Sequence, residues 1–226
     1  MKILSTLTIL FTLLSLMSVE SAADDKDVAL MLKTRGQVQF GRSGRRLVQA
    51  RRGSRIHSGV IVTTGDNSLA ALIFTDDKSQ LKIRSNSSVT INGKRQKKGI
   101  LKRLSLRFGE LWAKVTKQES DLRVETPSGV ATVKGTEFNA LFVDNNFFIY
   151  CRSGLMEIFN QFGTMMLGAN EMARLSQGAA PERLEGDPDE IFDLAGDSER
   201  TRLEIDLEGP DGEQKKLIID FDSQQQ

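Results

Sequence analysis

The segment Glu125–Ala140, ETPSGVATVKGTEFNA, decides how this chain folds. Its residues 129–136, GVATVKGT, are one transposition away from the phosphate-binding pattern G-x-x-x-x-G-K-[ST]. That pattern requires a glycine-rich loop that leads directly into the N-terminus of a helix. Here the lysine precedes the glycine, and Phe138, Ala140 and Phe142 alternate as they do in a strand. The segment therefore predicts two strands around a bend, and no nucleotide site.

Proline, glycine and threonine set the turns of this segment. Pro127 fixes the φ angle that suits the second position of a turn, which Ser128 and Gly129 complete. Gly135 interrupts the strand where a bulge or a close backbone approach is needed, because glycine has no Cβ to clash. Thr136 is expected to use its hydroxyl on nearby backbone groups.

The same strand rhythm continues over residues 28–176, where Gly, Asn, Asp and Ser interrupt short alternating segments at regular intervals. This pattern predicts an all-β fold, a sandwich or β-roll of many short strands. Asp187 and Pro188 supply an N-cap and a first-turn proline, which predicts one short helix at 188–195. Residues 201–221 predict a C-terminal hairpin, which we expect to dock on the body because isolated hairpins are marginal in water.

The first residues predict a targeting segment. Lys2 precedes an apolar run at 3–19, and Ser21, Ala22 and Ala23 are small residues suited to cleavage. A signal peptide at 1–23, cleaved after Ala23, would place the mature protein in the periplasm or outside the cell. In the alternative interpretation the uncleaved signal anchors the chain in the inner membrane, although the run is shorter than the roughly 20 residues of a spanning helix.

Charge is separated along the chain although the net charge is +1. Residues 33–117 contain 20 lysines and arginines against 4 acids, whereas residues 182–226 contain 15 acids against 5 basic residues. This separation predicts a basic body followed by an acidic C-terminal segment. One hypothesis is that the acidic end lies over the basic body and masks it.

The basic residues form two clusters that are candidates for binding anions or a partner. The first cluster is rich in arginine and comprises Arg42, Arg45, Arg46, Arg51, Arg52 and Arg55. The second cluster lies in a predicted loop and comprises Lys94, Arg95, Lys97 and Lys98. They are either solvated loops or a surface for an anionic envelope glycan, lipid headgroup or acidic protein segment. With one Trp and one Tyr to stack bases, we expect no nucleic-acid partner.

No group of residues predicts catalysis, a cofactor or a metal site. The single histidine, His57, lies in a basic, turn-like setting, and the single cysteine, Cys151, excludes both an internal disulfide and a cysteine-based zinc site. Cys151 lies in an apolar run and is predicted to be a buried, inert thiol. Asp76 and Asp77 are expected to cap backbone groups in a turn. The sequence therefore predicts a non-enzymatic protein without cofactors.

The residues of the opening segment resemble a known family. The pattern TP-x-G-x-A-x-V-x-GT-x-F is similar to the hallmark of the FecR domain, and its structural signature here is Thr126, Pro127, Gly129, Gly135, Thr136 and Phe138. Residues 59–91, 106–115 and 147–158 also resemble family segments in order and spacing. The resemblance spans residues 28–176 and departs from the family at Lys78, which replaces the glycine of an Asp-Gly-Ser turn.

The resemblance implies an extracytoplasmic module that transmits or receives protein contacts. Family regulators carry a cytoplasmic anti-sigma segment and a membrane helix before this domain, whereas here a signal peptide precedes it, so we expect no contact with a sigma factor. The sequence thus predicts an exported cell-envelope interaction module with a protein partner, in signalling or regulation. The alternative is a binder of anionic glycan or lipid headgroups through the arginine-rich loops.

Overall fold

The computed structural model describes residues 27–97, 99–117 and 121–194, and the backbone of 201–208 and 214–221. The predicted signal peptide at 1–23 lies outside this part of the chain. Among the described residues, no helix has the length and apolar character needed to cross a membrane.

Strands dominate the described residues, and the predicted all-β fold is confirmed. In chain order, the strands of the body are β1 Ala29–Arg35, β2 Val38–Arg42, β3 Val48–Gln49, β4 Arg55–Ile56, β5 Val60–Thr64, β6 Leu69–Phe74, β7 Gln80–Ile83, β8 Ser88–Gln96, β9 Gly99–Lys114, β10 Leu122–Thr126, β11 Gly129–Val133, β12 Glu137–Val143, β13 Asn146–Ser153, β14 Leu155–Asn160, β15 Gly163–Gly168, β16 Glu171–Ser176 and β17 Glu182–Leu184. Two further strands, β18 Thr201–Glu208 and β19 Gln214–Phe221, form a separate two-stranded sheet.

The strands of the body form two sheets that share β9. The first sheet has the order β4-β1-β6-β7-β9-β12-β13-β16-β17. The second has the order β3-β2-β5-β8-β9-β10-β11-β14-β15. The N-terminal part of β9 pairs in the second sheet and its C-terminal part in the first, so one strand ties the two sheets together.

The core lies between the sheets and follows the period-two alternation of the strands. Leu104 and Leu111 of β9, Phe138 of β12 and Ile158 of β14 are completely buried and belong to a single apolar cluster. Burying each such side chain contributes about 1.5–3 kcal/mol. The inward positions of both sheets therefore supply one continuous core.

Gly135 forms a corner at which the chain leaves the second sheet and enters the first. Its φ angle is +69°, and a Cβ at this position would lie 2.9 Å from Cβ and 3.1 Å from Cα of Lys117. The predicted close backbone approach is confirmed, and a register shift follows at Glu137 and Phe138. No helix follows the glycine, because residues 137–143 form β12.

A second corner contacts the first. Gly154, with φ +94°, lies where the chain passes from β13 in the first sheet to β14 in the second. A Cβ on Gly154 would lie 2.9 Å from the carbonyl oxygen of Gly135 and 3.0 Å from Oγ1 of Thr136. The Thr136 hydroxyl donates a hydrogen bond of 3.0 Å to the carbonyl oxygen of Leu155. The two bent strand pairs are thus fastened to each other at their corners.

β9 bends at Gly109, where the strand passes from the second sheet to the first. The φ angle of Gly109 is +90°, and a Cβ there would lie 2.5 Å from Cα of Ser87. Immediately after the bend, the Glu110 amide donates a hydrogen bond of 2.9 Å to Oγ of Ser87. Because the strand bends here, the alternation of apolar and polar residues along β9 changes phase at Gly109.

Lys78, which stands where the family pattern has a glycine, has a positive φ angle. Its φ angle is +60°, in the left-handed region that favours glycine. The turn is held by the Asp77 carboxylate, which accepts a hydrogen bond of 2.8 Å from the Ser79 amide. The departure in sequence therefore leaves the glycine-type backbone conformation in place.

The helix predicted at 188–195 is wrong in length, because the structure has a single 3-10 turn at Pro188–Glu190. Asp187 caps the turn as expected by accepting a hydrogen bond from the Asp189 amide. Phe192 is then buried, with its ring 6.3 Å from the ring of Tyr150. Tertiary packing of this side chain takes precedence over a helix of two turns, which would be marginal by itself.

The predicted C-terminal hairpin is confirmed in its pairing. β18 and β19 are antiparallel, with Leu203 opposite Ile219 and Ile205 opposite Leu217. Its connecting turn lies outside the described residues.

We expect Gly135→Ala to destabilise the protein more than Gly178→Ala. Gly178 also has a positive φ angle, +86°, but a Cβ there meets nothing within 4 Å. Both substitutions incur the left-handed backbone cost of about 1–2 kcal/mol. Gly135→Ala should lose at least about 1 kcal/mol more, because its Cβ overpacks against Lys117. Urea unfolding measures both free energies, and equal losses would contradict the corner geometry.

Candidate functional site

The bend of β9 opens a groove on the surface, with a volume of about 480 Å³. We call it the bend groove, and its lining comes from the turn after β7, the bend of β9, the end of β12 and the segment after the 3-10 turn. The lining residues are Arg84, Ser85, Asn86, Phe108, Gly109, Glu110, Leu141, Phe142, Val143, Asp144 and Asp193.

Two exposed apolar side chains line the bend groove. Phe108 is 52% exposed and Val143 is 42% exposed. The β9–β12 register places them together, because Phe142 is paired with Gly109. Asp144 and Asn145 both have positive φ angles, as in the tight turns that join antiparallel strands, and this turn ends β12 beside Val143. Adjacent exposed apolar side chains in a concave surface are typical of a contact site.

A network of paired charges lies beside these apolar residues. Arg84 is 6% exposed, and its guanidinium lies 3.2 Å from Oε1 of Glu110 and 3.2 Å from Oδ2 of Asp193. Asn139 donates a hydrogen bond of 3.4 Å to Glu110 and accepts one of 2.9 Å from Nε of Arg152. Because these groups are engaged with one another, they fix the shape of the groove.

The two basic clusters meet at the start of β1. Asp27 accepts a hydrogen bond of 2.9 Å from Arg55 through its carboxylate and one of 3.0 Å from Arg95 through its backbone carbonyl. The described residues of both clusters are exposed, and Lys98 lies outside the described residues. Arg42 ends β2 at the same end of the second sheet, since it pairs with Val60 and Val60 pairs with Ile91 of β8.

His57 belongs to the same region and contacts an acid. Its Nδ1 lies 3.5 Å from Oδ1 of Asp27. The neighbouring Ser58 accepts a hydrogen bond of 3.1 Å from the Gly93 amide. Among residues 27–97, 99–117 and 121–194, no group of three or more His, Cys, Asp or Glu could hold a metal ion.

Asp76 and Asp77 cap backbone groups as predicted, and they also bind a buried lysine that the sequence analysis missed. Lys102 is 1% exposed, and its Nζ lies 2.8 Å from Asp76 and 2.6 Å from Asp77. The carboxylate of Asp76 also accepts a hydrogen bond of 2.7 Å from the Ile100 amide. The sequence does indicate that Lys102 is buried, because it alternates in phase with Ile100 and Leu104, which face the core.

Cys151 is buried, as predicted. Burial, with a smaller contribution from the negative charge of Glu171, raises the pKa of its thiol to about 11. The thiol therefore stays protonated at neutral pH and is a poor nucleophile.

None of the structural-signature residues of the opening segment lines the bend groove. Thr126 donates a hydrogen bond of 3.0 Å to the Gly129 carbonyl oxygen across the turn that contains Pro127. Phe138 is completely buried in the core. These residues build the scaffold, as do Gly135 and Thr136 at the corner.

Phe108 and Val143 are not among the site residues predicted from the sequence. The change of phase at Gly109 was visible in the sequence and marks the bend. That the end of β12 would lie beside this bend depends on long-range pairing, which local patterns do not encode.

The middle of the chain matches a known protein family. Residues 60–154 match the family described as FecR protein, a range that includes the bend at Gly109 and both corner glycines. This match agrees with the resemblance of the chain's motifs to the FecR domain. No match was found among curated proteins.

Two solved structures from Parabacteroides distasonis, both described as candidate anti-sigma factors, share the fold. Each aligns with a TM-score of 0.51 at 14% sequence identity. The first alignment covers 66% of this chain and 68% of the other, and the second covers 63% and 66%. At this identity the likeness establishes the common fold alone.

We expect Lys102→Met to destabilise the protein by about 3–5 kcal/mol, because it leaves two buried carboxylates without their cation. The adjacent Arg103 supplies a matched control, since its pair with Glu125 at 2.9 Å is 49% and 32% exposed. Arg103→Met should cost less than about 1 kcal/mol. Denaturant unfolding compares the two variants, and a loss for Lys102→Met no larger than that of the control would contradict the buried pairing.

Proposed function

We propose that this protein is an exported, non-enzymatic regulatory module of the cell envelope that binds a partner protein through the bend groove. One observation carries the proposal: Phe108 and Val143 are exposed side by side next to charges that are already paired. The FecR match supports a regulatory role with a protein partner, and the description of the two structural neighbours as candidate anti-sigma factors agrees with it.

The chemistry of the groove favours a protein over a reacting substrate. Apolar walls beside a fixed polar network provide the mixed surface that protein interfaces use, with apolar residues at the centre and polar residues at the rim. Asp193 is 66% exposed while it pairs with Arg84, so it lies at the rim of the groove. A bound segment would bury Phe108 and Val143 and leave the Arg84–Glu110 pair intact.

Export belongs to the proposal as well. The features at 1–23 predict a cleaved signal peptide, and a periplasmic or secreted location follows from it. Anchoring by an uncleaved signal would also present the domain outside the cytoplasm, because the domain follows the signal in the chain.

Site-specific photo-crosslinking tests the groove as a protein-binding site. A photoreactive phenylalanine analogue at position 108 should capture a discrete partner from envelope extracts. The same analogue at Phe162, which is 48% exposed on another part of the surface, is the matched control and should not capture it. Once the partner is purified, Phe108→Ser combined with Val143→Ser should weaken binding by roughly 30-fold, since central apolar contacts contribute about 2 kcal/mol.

The dependence on salt separates this function from the alternative one. Binding through apolar contacts in the groove should persist at 0.5 M NaCl, where the Debye length is only a few ångströms. Binding that disappears at this salt concentration, and also when Arg55 and Arg95 become Gln, would identify the basic clusters as the site. That result, together with unchanged binding by the groove variant, would contradict the proposal in favour of an anionic glycan or lipid headgroup.

A further inference from the structure

The strand β6 is buried on both of its faces. All six residues, LAALIF at 69–74, are buried. The residues facing the core are Ala70, Leu72 and Phe74, whereas Leu69, Ala71 and Ile73 lie on the outer face of the first sheet and outside the core cluster. An antiparallel strand with one solvated face alternates apolar and polar residues, and β6 does not. Its outer face therefore requires a cover.

The buried outer face continues across the neighbouring strands. Ala71 pairs with Lys82 of β7, and Lys82 pairs with Trp112 of β9, so the three residues form a row. Lys82 and Trp112 are each 3% exposed, and the ammonium lies 4.8 Å from the centre of the indole ring. This face thus combines apolar side chains with a buried cation.

The segment after β17 covers one part of the outer face. Phe192 packs on Tyr150, and Asp193 contacts Arg84 and Glu110. Asp193 fixes the chain beside the end of β7, next to the row that Ala71, Lys82 and Trp112 form.

We propose that the C-terminal hairpin, β18 and β19, docks with its apolar side on the outer face of the first sheet, over β6 and Trp112. The hairpin register aligns Leu203 with Ile219 and Ile205 with Leu217, which makes one side of the hairpin apolar. Such a hairpin is marginal in water unless this side is buried. The apolar outer face of β6 is the complementary surface.

Chain length and charge favour the C-terminal hairpin as the segment that covers this face. From Leu194, the chain reaches β18 at Thr201 in seven residue steps, which span about 23 Å when extended. That distance is enough to cross from β7 to β6, since neighbouring strands lie about 5 Å apart. The acidic segment 182–226 also suits a face that carries Lys82, with Lys33 paired in register to Ala71.

Fluorescence of Trp112 tests the docking directly, because it is the single tryptophan of the chain. In the full-length protein, Ile219→Asp places a charge on the apolar side of the hairpin and should release it. We expect the emission maximum to shift to longer wavelength and the acrylamide quenching constant to rise roughly twofold or more, since the indole is 3% exposed when covered.

The neighbouring residue is a matched control. Ile218 is paired with Glu204 on the opposite side of the hairpin, so Ile218→Asp should leave the emission and quenching of Trp112 unchanged. Ile205→Asn supplies a milder second variant on the apolar side and should act in the same direction as Ile219→Asp. Far-ultraviolet circular dichroism confirms that the body remains folded in each variant.

Three results would overturn the docking. Unchanged quenching in both Ile219→Asp and Ile205→Asn would mean that the hairpin does not cover Trp112. Exposure of Trp112 on removal of residues 1–23 would assign the cover to the N-terminal apolar run. Exposure on dilution of the protein would assign it to a second copy of the chain.

Discussion

The contact between two glycine corners is the constraint on which the rest of this structure depends. Several strands leave one sheet and enter the other, and three of these crossings, at Gly109, Gly135 and Gly154, occur where a Cβ would clash with a neighbouring segment. At Gly135 and Gly154 the crossings contact each other, with the Thr136 hydroxyl bonded to the Leu155 carbonyl. Because β11–β12 and β13–β14 are bent at the same place, the two sheets are joined there and enclose one core.

The bend at Gly109 follows from the same need and produces the bend groove. β9 is the strand common to both sheets, and its change of direction leaves Phe108 exposed beside the end of β12. The charges that flank the groove are paired with one another, Arg84 with Glu110 and with Asp193. A scaffold that is rigid at its corners can thus present a small apolar site in a constant geometry.

Local patterns in the sequence predicted the parts of the fold that depend on local chemistry. The turn at Pro127, the close approach at Gly135 and the hairpin at 201–221 follow from residue types and alternation. The length of the helix after Asp187 was wrong because burial of Phe192 against Tyr150, 42 positions earlier in the chain, ends it. The Leu155 partner of Thr136 and the meeting of Phe108 with Val143 depend on strand pairing over long separations, which single residues do not encode. For Lys102, the alternation of residues in β9 predicts that its side chain points into the core, but it does not predict that Asp76 and Asp77 are its partners.

A double-mutant cycle between Thr136 and Gly154 tests the corner contact most directly. In Gly154→Ala the new Cβ would lie 3.0 Å from Oγ1 of Thr136, and Thr136→Ala removes that atom. The free energy of unfolding lost in Gly154→Ala should therefore be smaller in the Thr136→Ala background, with a coupling of at least about 0.5 kcal/mol. Losses that add within experimental error would show that the two corners do not act together and would contradict this account.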